Sequence, residues 1–313
     1  MLRDYTLHQN GKVGYKMNKL QVADQDQYQS NYFNIQFLGH VAHVKLNRPE
    51  KRNAMNWDFW RDLPRIIGDI DRNSSARCIV LSSTGPIFSA GLDLSLFGQD
   101  VFSSSTTNKK NEKELQTPQN FMNFLSFLQD SISSLQKARI PVICAIQGGC
   151  IGGGVDLICS ADIRLATTDA FFSIRETKIG MVADVGTFPR IVKLLPEGIV
   201  KELAFTGRNF SAHEAKEWGF VNRLYESHES LIEGALEMAK EITSNSPAAV
   251  FGCKKVIDFS RDHTIDEGLD WINMWNASML SQSELMEGFR SLKDKTEGNF
   301  AELPKLKDHF SKN

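Results

Sequence analysis

Apolar and polar positions alternate between two spacings along the first two thirds of the chain. Four short apolar runs have the length and composition typical of buried strands; they lie at 32–38, 41–46, 78–83 and 140–146. Residues 57–70 instead carry apolar side chains at helical spacing behind Asn56, a residue type suited to capping, and 118–137 predicts another helix. Repeated strand–helix units predict an α/β core with parallel strands.

From Pro196 onward the pattern becomes wholly helical. Three segments combine Ser or Thr with a Glu three residues later, which predicts capped helix starts; they are Ser211–Glu214, Thr264–Glu267 and Ser281–Glu284. Ser246 followed by Pro247 predicts a fourth start. We therefore divide the chain into an N-terminal segment (1–31), a core (32–200) and a C-terminal helical region (201–313).

The N-terminal segment is basic and then polar, which is compatible with a flexible or targeting role. Four basic residues and only one acid, Asp4, occur before residue 21; the basic residues are Arg3, Lys12, Lys16 and Lys19. Such a start is compatible with a mitochondrial presequence. The last residues, Ser311-Lys-Asn313, are similar to the Ser-Lys-Leu peroxisomal signal without its leucine. We expect a mitochondrial matrix protein, with the peroxisome as the alternative.

Composition excludes several other classes of protein. A formal net charge of −2 gives no case for nucleic-acid binding, and no apolar run approaches the ~20 residues of a membrane span. The five cysteines are odd in number and include no Cys-x-x-Cys pair, as in proteins of reducing compartments. His40 and His43 have no third ligand of suitable spacing nearby, so we expect no metal site.

A glycine cluster at 145–156 is the most informative segment. An apolar run enters Gly148–Gly154, and a helix pattern starts at about Val155. Unpaired N–H groups at such a turn hold an anion, or a carbonyl oxygen that becomes negative during reaction. The spacing fits neither a P-loop nor a dinucleotide fingerprint. A tight turn that uses glycine only for close packing is the alternative.

Two further features point to chemistry. Residues 87–94 (IFSAGLDL) follow a buried strand and place a glycine in an apolar patch, which suggests a second exposed N–H. Three carboxyl groups, Asp156, Glu176 and Asp184, follow apolar segments. Asp184 lies among apolar neighbours, where burial favours the protonated form. The alternative for Asp184 is a helix N-cap before Val185-Gly-Thr187.

Taken together, the two glycine segments resemble the crotonase (enoyl-CoA hydratase/isomerase) superfamily over about residues 34–295. The motif Leu46-Asn-Arg-Pro-Glu-Lys-Arg-Asn-Ala-Met55 also matches that family's early coenzyme A loop. The resemblance implies an α/β crotonase core, a spiral of ββα units, with a C-terminal helical region that builds trimers, often stacked as hexamers. It implies that the N–H groups of Leu92 and Gly153 form an oxyanion hole for a thioester oxygen. The implied substrate or coenzyme A contacts are Arg52, Ala54, Ala90, Gly91, Leu92, Asp93, Leu94 and Gly153.

The acid pattern looks like that of the Δ3,5-Δ2,4-dienoyl-CoA isomerases within this superfamily. Hydratases resemble one another in having glutamates at the positions of Asp156 and Glu176, and usually an uncharged residue at that of Asp184. The resemblance implies conversion of 3,5-dienoyl-CoA to 2,4-dienoyl-CoA in β-oxidation. We assign Glu176 to the proton at C2, Asp184 to the proton at C6, and Asp156 to orienting or tuning the site.

Other functions remain open at this point. A 2-enoyl-CoA hydratase or a Δ3-Δ2-enoyl-CoA isomerase is the main alternative, and a non-catalytic acyl-CoA-binding protein is a third. In each case the expected partner is an acyl-CoA thioester, with no nucleic acid and no membrane span. We expect no metal or redox cofactor, since coenzyme A is part of the substrate, and we expect a homotrimer or hexamer.

Overall fold

The computed structural model describes residues 28–98 and 110–307. The predicted targeting segment lies outside them except for 28–31, and so does the C-terminal tripeptide 311–313. Within the described ranges, no helix combines the length and apolar character needed to cross a membrane. All five cysteines are free thiols, four of them buried.

The main sheet has six strands, which in their order across the sheet are β1 (Phe33–Leu38), β2 (Val41–Leu46), β3 (Cys78–Ser83), β4 (Val142–Ile146), β6 (Ile163–Thr167) and β9 (Arg223–Tyr225). The first two pair antiparallel and the remaining neighbours pair in parallel. The predicted strand pair at 32–46 and the strands at 78–83 and 140–146 are confirmed within two residues.

A second, three-stranded sheet brings the glycine turn next to the acid loop. It consists of β5 (Gly149–Ile151), β7 (Phe171–Ser173) and β8 (Phe210–Ser211). β5 and β7 run parallel, so their carboxyl ends meet at one edge. The glycine turn follows β5 and Glu176 follows β7, and this pairing therefore places the two segments side by side.

Some of the helices pack on the main sheet and others pack on one another. Asn56 caps the first of them, because its side chain accepts from the Phe59 amide, and Pro64 lies inside that helix without ending it. The bounds are α1 Trp57–Arg72, α2 Lys110–Lys137, α3 Gly153–Cys159, α4 Thr187–Ile191, α5 Glu197–Thr206, α6 Ala212–Glu217, α7 His228–Thr243, α8 Pro247–Arg261, α9 Ile265–Met279 and α10 Gln282–Asp294.

Strand β3 shows how the sheet divides the core into two layers. Successive side chains of a strand point to opposite faces. Ile79 and Leu81 accordingly join the large cluster that includes α1, whereas Cys78 and Val80 join a smaller cluster beneath α7. All four side chains are fully buried, which explains why this strand reads as a continuous apolar run.

The C-terminal region is not wholly helical, in contrast to the expectation from its pattern. β8 and β9 lie within it, and β9 extends the main sheet by pairing with β6. These strands have only two and three residues. Runs of that length are too short to produce a period-2 signal, so their pairing is decided by tertiary contacts.

Two of the three predicted capping boxes are confirmed, at Ser211 and Thr264. The third is wrong, because the Ser281 side chain does not cap α10. Its hydroxyl instead bonds to the Ser283 hydroxyl at 2.7 Å, and Glu284 accepts from the Ala301 amide at 3.0 Å. The chain after α10 thus competes for the acid that the box requires.

Candidate active site

Residues 87–93 run beside strand β5, and hydrogen bonds fix the two segments together. The Ser89 amide donates to the Gly149 carbonyl at 3.2 Å, and the Ile151 amide donates to the Ser89 carbonyl at 3.0 Å. Ser89 and Cys150 form a parallel bridge. This short ladder brings the segment that contains Gly91 and Leu92 against the start of α3.

The amides of Leu92 and Gly153 lie next to each other at this junction. A β-carbon built on Gly153 would lie 3.5 Å from the Leu92 nitrogen, and one built on Gly91 would lie 3.1 Å from the Gly153 nitrogen. Gly91 has φ +85° and approaches the Ile151 carbonyl too closely for any side chain. Neither amide donates to another group in the described part of the chain. These two amides therefore lie side by side, with no hydrogen-bond acceptor among the described residues.

A buried asparagine in the 48–55 loop is bonded to the segment that leads to Gly91 and Leu92, called the donor segment below. The Asn53 side chain donates to the carbonyls of Thr84 and Ile87 at 2.8 and 3.1 Å, and accepts from the Arg48 amide. Asn53 is completely buried, so each bond is formed without competition from water. The strand-to-turn segment before Gly91 is thereby held in one position.

The same loop also holds the segment around Leu92 from the side. The Met55 amide donates to the Gly91 carbonyl at 2.8 Å, and the Asp93 amide donates to the Met55 carbonyl at 3.1 Å. The Arg48 guanidinium pairs with the Asp93 carboxylate at 2.6 Å. Its hydrogen bond is the main cause that lowers the pKa of Asp93.

A cavity of about 300 Å³ opens in front of the two amides. Its apolar wall comes from α1 and α2 and includes Trp60, Phe121, Phe124, Leu125 and Leu128. The three carboxyl groups predicted from the sequence, Asp156, Glu176 and Asp184, all line it. A larger cavity of about 740 Å³ lies between α4 and α8 and contains none of these three acids.

Asp156 lies in the first turn of α3 and is 1% exposed. Its Oδ1 atom accepts from both the amide and the hydroxyl of Thr187, at 2.6 and 2.7 Å. Burial raises the pKa of Asp156 to about 7; the Thr187 bonds oppose this shift, and the charges of Glu176 and Asp184 add to it. Asp156 therefore changes its charge close to neutral pH.

Glu176 begins a one-turn helix directly after β7. A β-carbon on Gly152 would lie 3.1 Å from its Oε1 atom, so the carboxyl group lies over the glycine turn. Its Oε2 atom is buried and has no hydrogen-bond partner among the described residues. Burial raises the pKa of Glu176, and the charge of Asp184 adds to this effect. A desolvated carboxylate with one free oxygen is suited to accept a proton.

Asp184 lies in the loop before α4 and is half-buried, with a pKa that burial raises. Its backbone carbonyl accepts from the Gln129 side chain of α2 at 2.7 Å. The alternative reading of Asp184 as a helix cap is wrong. Gly186 precedes α4 without a side-chain cap, and the first amide of that helix, that of Thr187, bonds to Asp156 instead.

The structure brings most of the predicted contact residues to this cavity, but not all of them. Ala90, Gly91, Leu92, Leu94 and Gly153 line it. Three others lie in or beside the supporting loop: Arg52, whose carbonyl accepts from the Ala90 amide, Ala54, whose carbonyl accepts from Arg48, and Asp93, which pairs with Arg48.

Sequence reasoning missed the apolar wall and Thr187. The wall residues of α2 recur at 121, 124, 125 and 128, the spacing of one helix face, so periodicity was an available signal. Thr187 had no such signal, because its partner Asp156 lies 31 residues away in the sequence.

Comparisons with known proteins identify several relatives of this chain. A family model described as enoyl-CoA hydratase/isomerase matches residues 36–303. The mitochondrial Delta(3,5)-Delta(2,4)-dienoyl-CoA isomerase of Rattus norvegicus is 39% identical over 280 residues, covering 88% of this chain and 84% of the relative. The peroxisomal Delta(3,5)-Delta(2,4)-dienoyl-CoA isomerase of Arabidopsis thaliana is 37% identical over 263 residues, covering 84% of this chain and 93% of the relative. The crystal structure of an enoyl-CoA hydratase from Bacillus anthracis superimposes with a TM-score of 0.76 at 27% identity, covering 86% of this chain and 99% of that one.

Proposed function

This chain belongs to the enoyl-CoA hydratase/isomerase family, and from that premise we propose that it is a Δ3,5-Δ2,4-dienoyl-CoA isomerase of fatty-acid β-oxidation. The crotonase fold expected from the sequence is confirmed by the family match and by the structural likeness. Relatives that carry this isomerase name are 36–39% identical to this chain over most of its length. The family's substrates are acyl-CoA thioesters, which sets the class of ligand.

One observation carries the choice of reaction. A third acid, Asp184, lines the same apolar cavity as Glu176 and the two free amides. Moving two double bonds by one position requires proton loss at C2 and proton gain at C6. These carbons are several bonds apart along the acyl chain, so two separated carboxyl groups serve the reaction better than one.

In the proposed mechanism, Glu176 removes the C2 proton and the electron pair of that C–H bond moves into the conjugated system. The amides of Leu92 and Gly153 hold the thioester oxygen while it carries the negative charge of the dienolate, which is the role of an oxyanion hole. Asp184 then gives a proton to C6, leaving double bonds at C2 and C4. Nothing is oxidised or reduced, so we propose that no metal or redox cofactor takes part.

The remaining predicted contacts have a role outside the acyl cavity. Arg52 is exposed in the loop that supports the donor segment, and Ala54 lies two residues further on. We assign Arg52, Ala54 and Asp93 to the part of the substrate beyond the thioester, namely the coenzyme A moiety. Their contribution is to binding, because none of them reaches the cavity that holds the acids.

The same proposal extends to assembly and location. Helices α9 and α10 expose many apolar side chains on the single chain, among them Ile265, Met274, Met286, Phe289 and Leu292. A face of this kind supports a homotrimer or a hexamer made of two trimers. We place the protein in the mitochondrial matrix, with the peroxisome as the alternative, because the named relatives divide between these two organelles.

A spectroscopic assay tests the proposed function directly. Purified protein is mixed with a 3,5-dienoyl-CoA, and formation of the conjugated 2,4-diene is followed by its absorbance. Rapid formation is expected, with crotonyl-CoA hydrated slowly or not at all. Fast hydration of crotonyl-CoA without diene formation would favour a hydratase, and binding of both esters without turnover would favour a non-catalytic protein.

A further inference from the structure

Thr187 is a fully buried polar residue that does not line the acyl cavity. Both of its donors, the backbone amide and the side-chain hydroxyl, bond to one atom, Oδ1 of Asp156. No described group donates to the other oxygen of this carboxyl. The two bonds therefore fix the orientation of Asp156, a residue that lines the cavity.

We propose that Thr187 is a positioning residue, which keeps the Asp156 carboxylate charged and oriented beside Glu176 and anchors the loop that carries Asp184. The proposal rests on the proposed isomerase function. Residues 184–187 would then serve both proton transfers. Asp184 is the acid for C6, and Thr187 holds Asp156, the neighbour of the base Glu176.

The backbone of this loop is shaped for the contact. Gly186 has φ +129°, a conformation that side chains rarely adopt, and a β-carbon there would overlap the Arg190 guanidinium. The turn at Gly186 directs the Thr187 amide towards Asp156 of α3, and no side chain at the N-cap position of α4 forms a capping bond. A glycine in this conformation is expected where the chain must deliver an amide to a fixed acceptor.

The charge of Asp156 depends on the groups around it. Those that act on it come from four elements: Glu176 after β7, Asp184 and Arg190 around α4, Cys150 of β5 and Cys159 of α3. Burial raises the pKa of both thiols, so they are neutral near pH 7. The two acids disfavour a charge on Asp156, and Arg190 and the Thr187 bonds favour it.

Loss of the hydroxyl bond therefore has a definite direction. The pKa of Asp156, already raised by burial to about 7, rises further, and the group becomes neutral at pH 7. The repulsion between the Asp156 and Glu176 carboxylates is then lost, and Glu176 becomes a weaker base. The loss of kcat caused by removing the hydroxyl is largest at low pH. It disappears at high pH, where Asp156 is ionised in both the parent and the variant.

The test compares Thr187→Val with Thr187→Ser in the full-length protein. Valine has nearly the same shape but cannot donate, whereas serine retains the hydroxyl. We expect Thr187→Val to move the acidic limb of the pH profile up by about one unit, as for one charge-assisted hydrogen bond. The kcat should therefore fall about fivefold at pH 7 and about tenfold in more acidic solution. KM should change less than about threefold, and Thr187→Ser should restore most of kcat.

A second readout does not depend on activity. Infrared titration of the unliganded protein, with Asp156→Asn to assign the band, should show Asp156 ionising at higher pH in Thr187→Val than in the parent. An unchanged band and pH profile would overturn the proposal, and so would a loss of kcat that is equal at all pH values. If the parent protein lacks isomerase activity, the proposed function fails, and the infrared band alone then decides whether Thr187 controls Asp156. Thermal melting monitored by circular dichroism identifies variants that do not fold.

Discussion

Two sets of groups line the cavity, and the chain holds them in different ways: the donor side, made of the Leu92 and Gly153 amides, and the acid side, made of Asp156, Glu176 and Asp184. The amides of Leu92 and Gly153 belong to segments that are tied by a short backbone ladder and by the buried Asn53 side chain. Asp156 projects from α3, Glu176 from the one-turn helix after β7 and Asp184 from the loop before α4. Asp156 is held by both donors of Thr187.

The difference separates geometry from protonation. A backbone donor has no ionisable group of its own, so the donor side should stabilise the oxyanion equally well across a wide pH range. The pKa values of all three acids are raised mainly by burial. The acid side should consequently determine the pH dependence of turnover, while the donor side should determine how strongly the charged intermediate is stabilised.

Glu176→Gln is expected to give the largest effect, because it removes the base that starts the reaction. Turnover should fall about 10⁴-fold, at the upper end of what general acid–base catalysis contributes. Exchange of the C2 proton with deuterated water, followed by mass spectrometry, should stop as well. Exchange that continues at the parent rate would place the base elsewhere.

Asp184→Asn should affect only the second half of the reaction. The C6 proton is no longer delivered, so turnover should fall about 10³-fold, within the range for loss of a general acid. Binding of acyl-CoA, measured by calorimetry, should remain near that of the parent. Exchange at C2 should persist, and this contrast with Glu176→Gln separates the two acids. Normal turnover in Asp184→Asn would refute its role as proton donor.

Gly153→Pro tests the donor side by deleting one N–H group. The residue is the first of α3, where proline is best tolerated, so the helix itself should survive. Loss of one oxyanion donor should lower kcat about 10²–10³-fold. The loss should be the same at every pH, since no ionisable group has been changed.

Gly153→Ala is the matched control for that experiment. Alanine retains the N–H and adds a β-carbon at the same position, which would lie 3.1 Å from the flexible Met55 sulfur. A modest loss in the alanine variant and a large loss in the proline variant would assign the effect to the donor. Equal losses in both variants would assign it to crowding and remove Gly153 from the oxyanion hole.

The sequence predicts the donor side better than the acid side, for a physical reason. Glycine runs after apolar strands are local signals, and the strands β3 and β4 that precede the two donor segments are fully buried and easily recognised. The three acids were also found, because carboxyl groups among apolar residues are conspicuous. Their roles cannot be deduced from local pattern alone, since these depend on which groups share a cavity.

Long-range pairings account for most of what was missed. The bond between Thr187 and Asp156 spans 31 residues of sequence. The three-residue strand β9 pairs with β6, from which more than fifty residues separate it in the sequence. The capping box at Ser281 does not form, because the Ser281 hydroxyl bonds to Ser283 and Glu284 bonds to the amide of Ala301, a residue outside the helix. In each case a contact made only in the folded chain overrides or supplements the local preference.

Asp93→Asn should have the smallest effect on turnover. It tests whether the stability of the donor side depends on pH through a neighbouring charge. Asp93 lies next to Leu92 and pairs with Arg48 at 2.6 Å, with both side chains largely shielded. Removing the charge should cost about 1 kcal/mol of stability at pH 7, as for one partly screened charge-assisted hydrogen bond. The kcat should change only a few-fold, because the Asn53 bonds still hold the segment.

The sign of the pH dependence follows from the lowered pKa of Asp93. Its contribution to stability is complete above the ordinary aspartate pKa of about 4 and is lost as the pH falls through the lower value in the folded protein. Urea unfolding of parent and variant should therefore differ at pH 7 and converge in acid. Asp69→Asn, which removes a more exposed pair with Arg72, is the control and should cost less than about 0.5 kcal/mol. A difference that persists unchanged into acid would show that the Arg48–Asp93 pair does not support the donor segment through its charge.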